Sequence, residues 1–372
     1  MKRIAALVPN VLGASPGQRV RIEFWADFLR QAGWAVDFYP FEDAKLHDIM
    51  YEPGHAPAKA TGLLQCYLRH LRLVLQGPPC DILFIYREAA LIGPALLERL
   101  AQRLRVPIIY DLDDPVFLPY RSPMNGWFSL LKFPRKTYSL FRLSAHVIAI
   151  NQLIANHVAN YNRNVSVIPN CIDIDRYQPR EKPINGPVRL VWMGSHSTMP
   201  NLETIAEPLQ RLQTTDQALL RVIGAGAPKL PGVAAEVRQW SAETEASDLQ
   251  DCDVGLVPLT DMSWNPWKFF FKTVQYMAVG LPVVARRIGS NSEIIEHGVN
   301  GFLVETKDEW YNFMRELVNN PKLRLQMGSA ARATVVERYS TLKQMPRMIS
   351  VFEQVFAQSK HALQGPCRLN HT

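Results

Sequence analysis

The feature that most constrains this chain is an alternation of short runs rich in β-branched and aromatic residues with helix-length amphipathic stretches. RIAALV, AVDFYP, DILFIY, VPIIYDLDD, HVIAIN and VSVIPN follow one another up to residue 170. VRLVWMG, ALLRVIG, VGLVPL, LPVVARR and GFLVE then take up the same rhythm. Runs that are apolar throughout belong to strands covered on both faces, and strands alternating with helices belong to parallel sheets. Between the first two runs, QRVRIEFWADFLRQAG carries Val20, Phe24 and Phe28 at helical spacing and ends on Gly33. The fold class expected is α/β, doubly wound.

At 372 residues the chain exceeds what one core usually supports, so two such domains are expected. RYQPREKPINGP, at 176 to 187, holds three prolines, a glycine and four charges, and reads as the break between them. The resulting domains are 1–178 and 188–338, with a linker at 179–187 and a closing segment at 339–372. Helices are expected near 308 to 320, 321 to 337 and 341 to 358, and GPCRLNHT reads as a frayed end. No internal repeat or low-complexity tract stands out.

Cys66, Cys80, Cys171, Cys252 and Cys367 are odd in number and widely spaced, which argues against a disulfide framework or a zinc site and favours a reducing compartment. Pro9 ends the first apolar run too early for a signal sequence, and no run is long enough to span a membrane. A cytoplasmic protein is expected. The net charge of +7 is unevenly placed: no carboxylate lies between Asp114 and Asp173, where Arg121, Lys132, Arg135, Lys136, Arg142 and Arg163 sit. Without those six, 35 basic residues face 34 acidic ones. Trp127, Phe128, Leu131, Phe133, Tyr138 and Phe141 are interleaved with the cations across 121–143, a composition suited to an anionic membrane surface and hence to a peripheral location. A pair of core helices with a solvated basic face fits the same composition. No nucleic-acid motif accompanies it, and nucleic acid is not expected as a partner.

Two doubly wound domains in tandem are expected to turn the carboxyl ends of their strands towards a shared cleft, so loops after strands are the candidate sites. GASPG, with Gly13 and Gly17, is a phosphate-facing type of turn, followed by Arg19 and Arg21, which begin the helix and could face the cleft; it is neither a dinucleotide fingerprint nor a P-loop. A simple tight turn with solvated arginines fits it too. In YDLDD, Asp111, Asp113 and Asp114 repel one another unless a cation, an arginine or a helix end offsets them, and Arg87, with Glu88 beside it, ends a neighbouring strand. The D-x-D pair admits a divalent cation as well as a turn cap or a hydroxyl site. WMGSHST offers Gly194, Ser195, Ser197 and Thr198 for phosphate oxygens, or a plain helix cap. Lys268 and Lys272, four apart, would share one face of a helix near its amino end and suit a diphosphate there, or are solvated surface lysines. Gly289, Ser290 and Asn291 form a close-approach loop, and Glu293 either caps the next helix or reaches a ligand hydroxyl.

KTVQYMAVGLPVVARRIGSNSEIIEHGVNGFLV is similar to the EAMA-x-G-x-PVVA and GG-x-x-E-x-V-x-x-G-x-N-G-x-L-V pattern of glycosyltransferase family 4. NRNVSVIPNCIDIDRY and RATVVERYS extend the resemblance, which covers residues 1 to about 358. It implies the GT-B fold, with two Rossmann-like domains and a last helix crossing back to the first. The family's E-x7-E ends in a glutamate that binds the donor ribose, whereas Trp267 and Gln275 occupy those two positions. The arginine and lysine usual after VWMG are also absent. W-x-x-x-K-x-x-x-K-x-x-QYMA, DLDD and WMGSHST resemble a subgroup in which Lys268 and Lys272 take over the diphosphate and the Gln275 amide meets the ribose.

The resemblance implies a retaining glycosyltransferase, hexosyltransferase-like, that moves a sugar from a nucleotide-sugar to a hydroxyl of a glycan or lipid-linked acceptor. Lys268, Lys272 and Glu293 would form the catalytic group. Gly13, Gly17, Gly194, Ser195, Ser197, Thr198, Gln275, Gly289, Ser290 and Asn291 would line the donor, and Arg87, Asp111, Asp113 and Asp114 the acceptor side. No cofactor or metal is expected, the nucleotide-sugar being a substrate. Two alternatives stay open: a noncatalytic glycan-binding or scaffold protein that has lost the E-x7-E glutamates, and a sugar-nucleotide epimerase, which would need an acid and a base at the donor sugar.

Overall fold

The computed structural model describes residues 1–50, 52–119, 131–180, 186–224 and 226–364. The chain divides into two units, one made of Met1–Asn170 with the residues from Met345 onward, the other of Cys171–Gln344. The first unit holds six parallel strands: β1 (Lys2–Val8), β2 (Trp34–Pro40), β3 (Ile82–Tyr86), β4 (Ile108–Leu112), β5 (His146–Ala149) and β6 (Val165–Val167), in the order β2-β1-β3-β4-β5-β6. The second holds β7 (Val188–Met193), β8 (Ala218–Ile223), β9 (Ala235–Arg238), β10 (Val254–Val257), β11 (Val283–Arg286) and β12 (Gly301–Val304), in the order β12-β11-β10-β7-β8-β9, again parallel. Strands β3, β4 and β10 are buried along their whole length, as sheets covered on both faces require. Strand order reverses between β1 and β3 and between β7 and β10, and crevices form beyond the carboxyl ends of such strands.

The expected boundary at 178 lies too late. Ile172, Ile174 and Tyr177 are buried with Tyr276, Met277 and Ala278 in the second unit's core, and Ile172 bridges to Ser340. Proline-rich composition had disguised a segment that packs; residues 181–185 lie outside the described residues. At the other end, the helix Thr341–Gln364 supplies Phe352 and Phe356, whose rings lie 6.0 and 5.6 Å from that of Trp34. Its Glu353 accepts a hydrogen bond from the Trp34 indole at 3.0 Å. The tail from residue 365 is outside the described residues.

The first helix differs from its sequence reading. A wide turn over Arg19–Glu23, with Arg21 at φ −103°, ψ −113°, rotates the helix Phe24–Gln31 so that Arg21, Ile22, Trp25, Ala26 and Leu29 are buried. Val20, Phe24 and Phe28, expected as the core stripe, are half-buried. Cys66, Cys80, Cys171 and Cys252 form no disulfide with one another, and no described helix is long and apolar enough to cross a membrane.

Candidate functional site

In the first unit, arginines offset the three aspartates. Arg21 and Asp111, both fully buried, form a two-pronged pair, with the Arg21 Nε 3.0 Å from Oδ2. Arg87 donates to Asp113 at 2.5 and 2.7 Å and to Asp114 at 2.6 Å, while the Tyr86 hydroxyl donates to Asp113 at 2.7 Å. Burial pushes the Asp113 carboxyl up, but the Arg87 charge and hydrogen bonds outweigh it and hold it below its ordinary value. Arg87 is held at φ +55°, its N–H on the Asp111 carbonyl at 2.9 Å and its carbonyl on the Tyr110 hydroxyl at 2.7 Å. A left-handed arginine is strained, and these bonds fix its guanidinium over the strand ends.

Gly17 lies beneath this network: a β-carbon there would lie 2.8 Å from both the Arg87 guanidinium and the Tyr86 hydroxyl and would push them aside. The Gly13 amide, expected to face phosphate, donates instead to the Glu23 carboxylate at 3.0 and 3.2 Å. Arg21, expected to face the cleft, is withdrawn into the interior. Asp111 and Asp113 are buried too, so Arg87 and Asp114, each about a quarter exposed, are the members of the group that meet solvent. Glu88 pairs with Lys136 at 2.6 Å, which takes that lysine out of the basic surface.

In the second unit, the lysines do not share a helix face as their spacing suggested. Lys268 follows a short turn, Asn265–Trp267, and the helix begins only at Phe271. The Gly289–Ser290 loop fastens this entry: Ser290 Oγ accepts from the Phe270 N–H at 2.7 Å, and a β-carbon on Gly289 would lie 2.5 Å from the Asn265 carbonyl. Asn291 accepts from the Thr273 hydroxyl at 2.7 Å. The Ser290 and Asn291 side chains are fully buried and brace the helix, which leaves the backbone amides of the Gly289–Asn291 loop as its donor-side candidates.

The Lys272 ammonium lies 5.3 Å from the Trp192 ring, and neither Lys268 nor Lys272 pairs with a carboxylate among the described residues. Burial, with a smaller contribution from the Lys268 charge, brings Lys272 down to about 8. Trp192 was absent from the sequence reading. Its ring lies under Gly194, where a β-carbon would sit 2.3 Å from it, and the next turn closes with the Ser195 N–H on the Thr198 hydroxyl at 3.0 Å and with Ser195 and Ser197 hydroxyls 2.9 Å apart. Ser195 and Ser197 are exposed just beyond β7, at the point where strand order reverses. The helix Phe271–Ala278 is anchored over the same strand by Tyr276, whose hydroxyl accepts from the Met193 N–H at 2.8 Å.

Gln275 is buried, with its amide donating to Glu245 at 2.6 Å. Glu245 had no place in the sequence reading, because SAETEASD looks like an acidic surface stretch. Glu293 lies on an exposed surface, lining a cavity of about 580 Å³ with Glu296, Thr334, Glu337 and Arg338.

A family model described as "Glycosyl transferases group 1" matches residues 187–320, and one described as "Glycosyltransferase Family 4" matches residues 17–176. Among curated proteins, N-acetyl-alpha-D-glucosaminyl L-malate synthase of Bacillus anthracis is 22% identical over 179 residues, covering 46% of this chain and 47% of that one. D-inositol 3-phosphate glycosyltransferase of Geodermatophilus obscurus is 26% identical over 196 residues, covering 45% and 42%. The chain thus matches less than half the length of either. Sucrose-phosphate synthase of Thermosynechococcus elongatus superposes over 96% of this chain and 100% of its own, with a TM-score of 0.72 at 15% identity. Anabaena HepE, solved with UDP, covers 95% and 100%, with a TM-score of 0.67 at 18% identity.

Proposed function

Since the chain belongs to the group 1, family 4 glycosyltransferases, we propose that it transfers a sugar, with retention of configuration, from a nucleotide-sugar to a hydroxyl of a glycan or lipid-linked acceptor. The observation that carries this reading is Lys272: a half-buried cation, drawn down to about 8, with no carboxylate beside it among the described residues. Such a group is poised for an anion. As the nucleoside diphosphate departs, negative charge grows on its bridging oxygen, and fixed cations stabilise it without reorganising. Lys268, Lys272 and the Gly194–Thr198 turn fill this role; Gln275 meets the ribose, and Glu293 with the Gly289–Asn291 loop attends the sugar. Arg87 and Asp114 are the acceptor-side contacts, with Asp111 and Asp113 holding the arginines behind them. The lysines supply the positive charge, and no metal enters the scheme.

The acceptor's setting is an anionic membrane face. Residues 120–130 of the basic aromatic segment lie outside the described residues, and Phe141 and Lys136 proved to be interior. The remainder supports the reading: Leu131 and Phe133 are 44% and 45% exposed, with Arg135 also at the surface. Gly93 bonds to the Leu131 carbonyl at 2.8 Å and abuts Tyr67 of the helix Ala56–Gln76. That helix exposes Leu64, Leu68, Arg72 and Leu75, and it contains no carboxylate.

Calorimetry and thermal shift with UDP, GDP, ADP, TDP and their sugars, with and without EDTA, on the wild type and Lys272→Ala, test the site. Selective stabilisation by one nucleotide, indifferent to EDTA and weakened in the variant, is expected. Binding that needs metal or ignores Lys272 overturns the assignment, and absence of sugar transfer to any acceptor in the presence of a bound donor returns the binding-only alternative.

A further inference from the structure

Glu245 opens the helix Glu245–Gln250 and is 7% exposed, yet among the described residues no arginine, lysine or histidine is paired with its carboxylate. Three neutral donors surround it instead. Oε1 accepts from the Gln275 amide at 2.6 Å and from the Tyr177 hydroxyl, and Oε2 accepts from the Trp240 indole N–H. Burial and the Glu245 charge push the Tyr177 phenol well above its ordinary value, so it remains a donor. A buried carboxylate held only by neutral donors is a costly element, tolerated when its hydrogen bonds fix something.

Two things are fixed. A carboxylate accepts and cannot donate, so Gln275 must turn its NH₂ inwards, and its Oε1 accepts no hydrogen bond from any described residue. Flipping the amide would set oxygen against oxygen. Trp240 is tied by its N–H, while its ring is 41% exposed. The tryptophan stands on the turns that end β7 and β8: a β-carbon on Gly224 would lie 2.7 Å from the Gly194 carbonyl and 3.3 Å from the Trp240 Cβ. Gln275 is three residues beyond Lys272 on the same helix, which places both on one helical face.

We infer that Glu245 is the positioning residue of a nucleoside subsite, in which Trp240 is a stacking platform for the base and Gln275 Oε1 an acceptor for a ribose hydroxyl. The inference rests on the nucleotide-sugar reading above. It also explains why an amide stands where a family glutamate is usual: a second carboxylate 2.6 Å from Glu245 would require a shared proton.

The experiment is calorimetry with UDP, 2′,3′-dideoxy-UDP and inorganic pyrophosphate on the wild type, Glu245→Gln, Gln275→Glu, their double variant and Trp240→Leu, with melting temperature followed throughout. Glu245→Gln is expected to weaken UDP by about tenfold while leaving pyrophosphate, which reports the lysines, unchanged. Gln275→Glu should lose UDP affinity progressively as pH rises and the shared proton leaves. The double variant restores one donor facing one acceptor and should recover to within about threefold of the wild type. Preference for UDP over the dideoxy compound should vanish in Glu245→Gln and persist in Trp240→Leu, which weakens both. The inference is overturned if the single losses add in the double variant, if pyrophosphate falls in step with UDP, or if dideoxy discrimination survives Glu245→Gln. Loss of all binding in Lys272→Ala alongside such additivity would spare the transferase reading, whereas a wild type that binds neither UDP nor pyrophosphate overturns both.

Discussion

Replacing Lys272 by methionine should stabilise the free protein and cripple nucleotide binding, a combination opposite in sign to the loss of a structural lysine. Lowering a lysine from 10.5 to about 8 on folding corresponds to roughly 3 kcal/mol against the charged form. Below pH 8 the side chain is protonated in both folded and unfolded states, so this penalty is present in full. Between pH 8 and 10.5 the unfolded chain binds the extra proton, and stability therefore rises with pH. At pH 7 the variant escapes the penalty but loses the contact with Trp192, about 1 kcal/mol. A net gain of about 2 kcal/mol remains, or about 4–8 °C in the melting of a unit of this size. Differential scanning fluorimetry at pH 7 and pH 10.5 reads it: the gain should be present at the first and largely gone at the second. Nucleoside diphosphate binding should draw a proton onto the wild-type lysine near pH 8 to 9, visible as a dependence of calorimetric heat on the buffer's ionisation enthalpy. A variant that melts lower than the wild type at pH 7, or that binds nucleotide unchanged, would refute the argument that Lys272 is held ready for an anion.

Other perturbations follow from the packing. Asp111→Asn should lower stability by about 3–5 kcal/mol in chemical denaturation, because it leaves Arg21 charged and buried without its counter-ion. Gly194→Ala should destabilise by about 1–3 kcal/mol and weaken UDP in calorimetry, since the new methyl would displace the Trp192 ring that underlies Lys272. Sedimentation with phosphatidylglycerol vesicles should carry the full chain down, and Leu64→Ser with Leu68→Ser and Leu75→Ser should leave it in solution without altering its melting temperature. Equal sedimentation with neutral phosphatidylcholine vesicles would contradict the electrostatic part of the membrane reading.

Strands such as β3 and β10 were legible because they are buried along their whole length and so carry unbroken apolar runs. Strand β9 was missed for the converse reason: AEVR is a sheet edge, half polar and partly exposed, and resembles a loop. The lysines were visible as residues, but the reason for their proximity was not. Their spacing suggested one helix face, whereas the Gly289–Ser290 loop holds Lys268 in an extended link ahead of the helix. Tertiary contacts of this kind leave no period to read. Arg21 and Glu245 were hidden more deeply, since a charged residue in sequence looks solvated until its partners, 90 and 30 positions away, are known.

The return of the last helix bears on how the chain is made. Trp34 and Phe84 emerge early in synthesis, yet Phe352, which packs on both, and Phe356, which packs on Trp34, come more than two hundred and fifty residues later. The second unit is contiguous and can complete its core while still near the ribosome; the first cannot. Until the final helix is released, an apolar strip along β2 and β3 stays open to water, and the nascent amino-terminal unit is a natural client for a chaperone. A chain stopped at residue 344 should therefore fail in its first half, not its second.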